Sequence, residues 1–348
     1  MAQQDISLKE MERRLVRYRD LRPCTTAFID TRTPGSDRKE NFTIIGPGVA
    51  ENPDQFVHID IPHGFNIGGA RQPPRCVNSQ HSHDTAEVFV VHSGRWRFIS
   101  GVDGTDGSVD LGPGDTISIP TRVFRGFENI GDEIGFLFAV LGGDDPGRVT
   151  WAPYVFSQAE KHGMVLLDNG RVVDTTRESV PAGAQRMPPT TDEQVRGYVR
   201  HDSASLAKIV VRASELSPAG GLSVLPGFEE CPIVGVANVP EGAPAGRLGW
   251  SHNFQVRALR VAPGAVSPEH VRDEEEVLLM HAGSLLVGWH GQSLELGPGD
   301  TLTLPRGLAR RLINAGSERA VAYVVRGGDH PAAARWTTQG AAHAVSAQ

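Results

Sequence analysis

Two short runs of the sequence bring together residue types that could do chemistry. The first is His81-Ser-His83-x3-Glu87-x6-Gly94, followed downstream by Arg125. In an extended strand residues i and i+2 face the same side, so His81 and His83 project together, and Glu87 shares their parity. Two imidazoles and one carboxylate suit a divalent iron, manganese, nickel or zinc ion. A guanidinium stays protonated and has no lone pair for a metal, so Arg125 must act differently. Two arrangements are open. In one, the three residues hold a metal with open positions while Arg125 clamps a substrate carboxylate through its planar fork. In the other, Arg125 pairs with Glu87 and replaces the metal's charge. The second run is His270-Val-Arg272-x3-Glu276-x6-Gly283 with Arg310. Two ligands beside two arginines do not hold a metal, so the expectation there is Glu276 paired with Arg272 or Arg310 in a unit that serves packing or dimerisation. An anion pocket lined by arginines is the alternative.

Aromatic neighbours follow the same parity logic. Phe89 and Phe127 share the faces of Glu87 and Arg125, so they either line a pocket and sandwich a flat substrate or form ordinary core. His92 has the opposite parity and is expected at the surface. His58 and His63 precede the motif and are the candidates for an extra ligand from a neighbouring strand.

The elements that must carry these residues are short strands. FVHIDI, EVFVV, RWRFI, TISIP and FLFAV, and later VRALRV, EVLLM, LLVGW, TLTLP and AVAYVV, alternate with period two between Gly, Pro and Asp. The pattern repeats. Residues 111–131 align without gaps on residues 296–316, and ten of the 21 positions are identical. His81, Glu87 and Gly94 match His270, Glu276 and Gly283 at a nearly equal offset, which marks a duplication.

Outside the repeats, Ser7 to Leu21 is predicted as one helix. Ser7 and Glu10 fit a capping box, and Leu8, Met11, Leu15 and Tyr18 recur at helical spacing. Residues 153–162 are predicted as a second short helix. The expected divisions are an N-terminal helix and arm over 1–39, one strand-rich domain over 40–145, a linker over 146–205, a second domain over 206–335, and a mobile tail over 336–348.

Of 348 residues, 39% are apolar and 22% charged, enough for a sizeable core. The 34 basic and 41 acidic residues give a net charge of −7, which disfavours nucleic-acid binding. Three scattered cysteines argue against a disulfide framework or a Cys-type zinc site. The N-terminus lacks the apolar core of a signal peptide and no apolar run approaches a membrane span. A cytoplasmic protein without membrane or nucleic-acid partners is expected.

Both runs, each followed by Gly-x5-Pro (Gly114 to Pro120, Gly299 to Pro305) and then Arg125 with Asn129, or Arg310 with Asn314, resemble the paired signature of the cupin superfamily. That resemblance implies an all-β chain of two tandem jelly-roll barrels, a bicupin. The usual motif-two histidine is replaced by Arg125 in one copy and Arg310 in the other. One metal-competent and one degenerate domain resemble, in organisation, gentisate- and salicylate-type ring-cleaving dioxygenases. This implies Fe(II) at His81, His83 and Glu87, O2, and a hydroxylated aromatic acid held by Arg125. The alternatives are a cupin isomerase, lyase or decarboxylase of a small carboxylic acid, and a metal-free bicupin that binds an anion or is structural. Open sheet edges make a homodimer or larger homo-oligomer the expected assembly.

Overall fold

The computed structural model describes residues 5–238 and 243–337. The chain divides into two compact units, Arg22–Ala213 and Met1–Leu21 with Ser214–Gln348. Each is a jelly-roll β-barrel. In the first unit a seven-stranded sheet runs in the order Val210–Val211, Thr116–Ile119, Glu87–Ser93, Gly135–Gly142, Phe65–Gln72, Glu40–Ile45, Val57–Ile59. A five-stranded sheet faces it, ordered Val149–Trp151, Val77–His83, Arg125–Asn129, Trp96–Ser100, Gly107–Leu111. All pairs are antiparallel except Glu40–Ile45 with Val57–Ile59. The alternation that suggested strands is visible in Trp96–Ser100, whose residues are alternately buried and half-buried. Its inward Phe98 meets Phe89 and Phe127 at ring separations of 5.1 and 5.5 Å.

The second unit repeats this plan. Its six-stranded sheet is ordered Leu15–Val16, Thr301–Leu304, Glu276–Ala282, Ala320–Gly327, Phe254–Val261, Phe228–Val234. Its core packs Leu278, Met280, Trp289, Leu302 and Val324 against Met11 and Ile6, each buried apolar side chain contributing roughly 1.5–3 kcal/mol.

The predicted N-terminal helix is cut short. Leu8–Glu12 is helical, with the Ser7–Glu10 capping box formed, but Leu15–Val16 is a strand paired with Leu302 and Thr301. Pairing with an exposed sheet edge outweighs the helical periodicity. The same device recurs at Asp202. Asp202 caps the helix Ser203–Lys208, and Val210–Val211 pairs with Ile117 and Thr116 in the first barrel. Arg17 donates to Asp300 Oδ2 and the Glu295 carbonyl, both at 2.6 Å. Arg212 donates to Asp115 Oδ2 and the Asp110 carbonyl, both at 2.7 Å. The aspartates of the two GPGD turns therefore tie down the arms, a role no local motif announces.

Other expected boundaries differ from the observed units. Among the described residues, 5–21 belong with the second barrel and 22–39 with the first. The segment expected as a linker is part of the first unit: the predicted helix forms as Pro153–Lys161, and Met164–Leu166 pairs with Val172–Asp174. Trp336, the first residue of the expected tail, belongs to the strand Arg335–Trp336 paired with His270–Val271, and residues 338–348 lie outside the described ones. Among the described residues no helix is long and apolar enough to cross a membrane.

Candidate metal centre

The strand Val77–His83 lies between Arg125–Asn129 and Val149–Trp151, with His81 opposite both Arg125 and Trp151. Gln80 points to the other face, where its Nε2 donates to the Gly101 carbonyl at 2.8 Å. His81 and His83 therefore face inward together, their ring centroids 4.9 Å apart. Glu87 opens the next strand and joins them, with Oε2 3.6 Å from His83 Nε2. One ligand atom from each of the three lies within 4.8 Å of the others, and all three residues are buried.

The electrostatics suit a ligand role. His81 Nδ1 lies 2.7 Å from the Ser79 carbonyl; donating there fixes the tautomer and leaves the Nε2 lone pair for a metal. Burial, reinforced by the Arg125 charge, holds both imidazoles well below the ordinary histidine range, so they are neutral. Burial raises the Glu87 carboxyl, and Arg125 only partly offsets this. Two neutral imidazoles and a carboxylate fit a divalent first-row ion.

Arg125 is paired with Glu87, the second of the two arrangements left open for it. Its NH2 donates to Glu87 Oε2 and its NH1 to the His81 carbonyl at 3.0 Å, and it is 1% exposed. It lies outside the lining of the cavity that the three ligands face. Register explains the pairing: Arg125 sits directly opposite His81, so both side chains share the inward face and the guanidinium lies beside the cluster, held by Glu87 and the His81 carbonyl. Phe89 and Phe127 are buried core residues at the cavity, in contact at a ring separation of 5.3 Å.

The other histidines lie outside the cluster. His58 Nε2 accepts from the Arg22 amide at 3.0 Å, and His63 Nδ1 faces the Ile61 carbonyl. His92 is half-buried, edge-on to Phe138 at 5.6 Å, rather than at the open surface.

The cavity holds about 70 Å³ and is walled largely by apolar side chains, with Asn41 and Asn78 as amides in the lining. Asn78 Oδ1 accepts from Lys39 Nζ at 2.7 Å, so its amino group remains for the cavity. Lys39 and Asp30 form a fully buried ion pair, and Asp30 Oδ2 accepts from the Ser79 amide at 3.1 Å. This anchors the residue whose carbonyl orients His81. Behind His81, Trp151 packs at 5.3 Å and donates to Glu51 Oε1 at 2.6 Å. Burial pushes Glu51 up to about 8, against the hydrogen bonds from Trp151 and Ile29. Asp30, Lys39, Asn41, Glu51 and Asn78 carry no motif; Asn41 and Asn78 come from strands, and Asp30, Lys39 and Glu51 from the turns and loops beside them.

The second barrel closes the equivalent space with charge. Glu276 receives Arg310 NH2 and Arg326 Nε, both at 2.7 Å, and is ion-paired with Arg272, whose Nε lies 3.3 Å from Oε2. Glu230 receives Arg326 NH1 at 3.0 Å and Arg257 NH1 at 3.1 Å. Burial alone would raise Glu230, but Arg326, Arg272 and Arg257 outweigh it and hold it down to about 2. Burial and the arginines lower His270 to about 3. Arg272 and Arg310, which the sequence offered as alternatives, both pair with Glu276, and Arg326 is an addition that the motif spacing does not show.

A cupin-domain family model matches residues 70–141 and again residues 258–326. No curated protein matches the sequence. Among solved structures, the formate complex of Lactobacillus farciminis oxalate decarboxylase superposes with a TM-score of 0.54 at 12% identity, covering 92% of this chain and 88% of that one. The Bacillus subtilis oxalate decarboxylase at pH 4.6 gives 0.52 at 14% identity, covering 92% and 78%. Its W96F variant gives 0.53 with the same identity and coverage. At such identities the likeness is one of fold.

Proposed function

Because the chain is a bicupin, a member of the cupin superfamily with one open and one closed barrel, we propose that the open barrel is a metal-dependent active site for non-oxidative chemistry on a small carboxylic acid, decarboxylation first among the lyase and isomerase reactions. The observation that carries this reading is the buried His81–His83–Glu87 cluster at a cavity of about 70 Å³. At about 30 Å³ per water, such a space takes roughly two waters. A short aliphatic acid matches that size better than a hydroxylated aromatic ring. The dioxygenase expectation, with iron as its metal, rested on domain organisation, and the similar solved structures are decarboxylases.

A divalent ion on His81, His83 and Glu87 would supply a Lewis acid to polarise the carboxylate. The chain's own groups do the rest. The Ser79 carbonyl holds the His81 tautomer, Arg125 orients Glu87, and the Asn78 amino group donates to a substrate oxygen. Phe89, Phe127 and Leu141 exclude water, which strengthens each polar contact inside.

A second reading has its own observation. The Arg125–Glu87 pair is the first barrel's version of Arg310–Glu276, so the first barrel too could be a metal-free anion pocket. One experiment separates the readings: metal content per chain, for wild type and His81→Ala/His83→Ala, with CO2 release and O2 uptake followed on a panel of acids. Our reading expects close to one divalent ion per chain, lost in the variant, and turnover without O2. O2 uptake with aromatic acids returns the dioxygenase. Absence of metal after anaerobic loading favours the anion pocket. Assembly as a homodimer or larger oligomer is part of the same reading and is checked by light scattering.

A further inference from the structure

The two barrels fill one equivalent space in two ways. Strand pairing fixes the correspondence. Asn41 lies opposite Ala70, which lies opposite Leu137; Glu230 lies opposite Leu259, which lies opposite Ala322. Gly68 pairs with Ala139 as Arg257 pairs with Val324. Leu141 pairs with Glu87 as Arg326 pairs with Glu276. Asn41, Gly68 and Leu141 therefore stand where the second barrel has Glu230, Arg257 and Arg326.

In the second barrel the Arg326 guanidinium bridges the two carboxylates, through Nε to Glu276 and NH1 to Glu230. With leucine for Arg326 and glycine for Arg257, the first barrel lacks that bridge. What is left there is the cavity of about 70 Å³, lined by both Glu87 and Asn41. Asn41, Gly68, Glu87 and Leu141 all line the cavity. A Cβ on Gly68 would make van der Waals contact with the Phe42 carbonyl at 3.4 Å and the Ala139 Cβ at 3.9 Å, so glycine leaves this wall of the cavity without a side chain. Asn41 Nδ2 is buried and has no hydrogen-bond partner among the described residues, a condition that costs free energy until an acceptor arrives.

We propose that Asn41 is a substrate-anchoring residue, whose amide N–H groups bind the far end of a short acid that has its near end at His81, His83 and Glu87. A guanidinium is flat, with polar edges on opposite sides. The acid that replaces it is accordingly short and planar with oxygen at both ends, a 2-oxo acid or dicarboxylate of about two or three carbons. The amide selects an oxygen acceptor at this position, where the Glu230 carboxylate of the second barrel selects cations. This inference rests on the proposed function and names the substrate class for that site.

The test is calorimetric titration of oxalate and of acetate into Mn(II)-loaded protein, wild type and Asn41→Ala, with metal content measured alongside. Asn41→Ser, which keeps a donor, is the control for a folding defect. The expected result is unchanged metal content, oxalate affinity lowered about 10- to 100-fold in Asn41→Ala, partial recovery in Asn41→Ser, and acetate affinity nearly unaffected because acetate lacks the far end. Oxalate binding at wild-type affinity in Asn41→Ala, or equal losses for both acids, overturns the inference and leaves the proposed function standing. Failure of the loaded wild type to bind either acid overturns the proposed function, and the inference with it.

Discussion

Replacing Arg125 with methionine tests how the motif carboxylate is held. Methionine keeps an unbranched apolar stem but removes the donors to Glu87 Oε2 and the His81 carbonyl. Glu87 is 5% exposed, so the change leaves a carboxylate in the interior without its cation. Breaking a buried pair from one side costs about 3–5 kcal/mol. In a unit of nearly 200 residues 1 kcal/mol moves the midpoint by about 2–4 °C, giving a fall of roughly 6–20 °C. The cost is greatest at high pH. Burial already raises Glu87, losing Arg125 raises it further, and protonation at lower pH relieves the isolated charge. A divalent ion can replace the lost cation. At a hundredfold excess over its dissociation constant it returns about 2.7 kcal/mol, or roughly 5–11 °C. The assay is thermal unfolding followed by circular dichroism, in EDTA and with added Mn(II) or Zn(II). An Arg125→Met protein that melts with wild type in EDTA refutes the reasoning. So does metal that stabilises wild type but not the variant.

Three further outcomes are expected. His83→Ala should lower bound metal at least about tenfold without unfolding the barrel, read by elemental analysis beside circular dichroism. Glu51, with its folded pKa raised from 4.5 to about 8, contributes stability that is full below about pH 4.5 and lost as pH rises through 8; urea melts at pH 5, 7 and 9 should show a decline that Glu51→Gln flattens, and equal slopes would remove Glu51 as its source. In the second barrel Glu230 is lowered to about 2 and Glu276 lies well below the ordinary range, so their contribution is present above about pH 4.5 and lost as pH falls. Arg326→Met, which strips a cation from both carboxylates, should cost about 3–5 kcal/mol at pH 7 and shrink that acid sensitivity, measured by denaturant unfolding at pH 7 and pH 3.

The barrels were legible because duplication writes the same strand-and-turn pattern twice, and strand parity places His81 and His83 on one face; Glu87 joins them from the next strand, which belongs to the other sheet. The N-terminal arm was misread for a definite reason. Leu8, Met11, Leu15 and Tyr18 satisfy a helical period, and a two-residue strand carries no period of its own. What makes Leu15–Val16 extended is the free edge of Thr301–Leu304, nearly 300 residues away. Arg125 was legible as a non-ligand, while its partner stayed open because clamp and ion pair place the same residue type at the same position. Asn41, Asn78, Lys39 and Asp30 left no signal. They lie on separate strands and loops, and only the register of Glu40–Ile45 and Val77–His83 in their sheets makes them neighbours of the site.

Both barrels bury a motif glutamate, and the count of arginines around it separates them. Glu276 has three guanidiniums, so its charge is overbalanced and a further cation would be repelled. Glu87 has Arg125, and the next position able to reach it is Leu141, directly opposite on the neighbouring strand as Arg326 is to Glu276. Leu141→Arg should therefore convert the open barrel into a closed one. The new side chain would extend into the cavity, past Gly68, and put a second guanidinium on Glu87. Unlike charges about 4 Å apart gain roughly 4 kcal/mol near a protein surface, and like charges lose as much. Metal affinity should thus fall by about tenfold or more, while stability in EDTA stays at or above that of wild type because the guanidinium fills space the cavity left empty. Destabilisation in EDTA would mean that the space is not the one Arg326 occupies in the second barrel. Retained metal would mean that Glu87 is not a ligand.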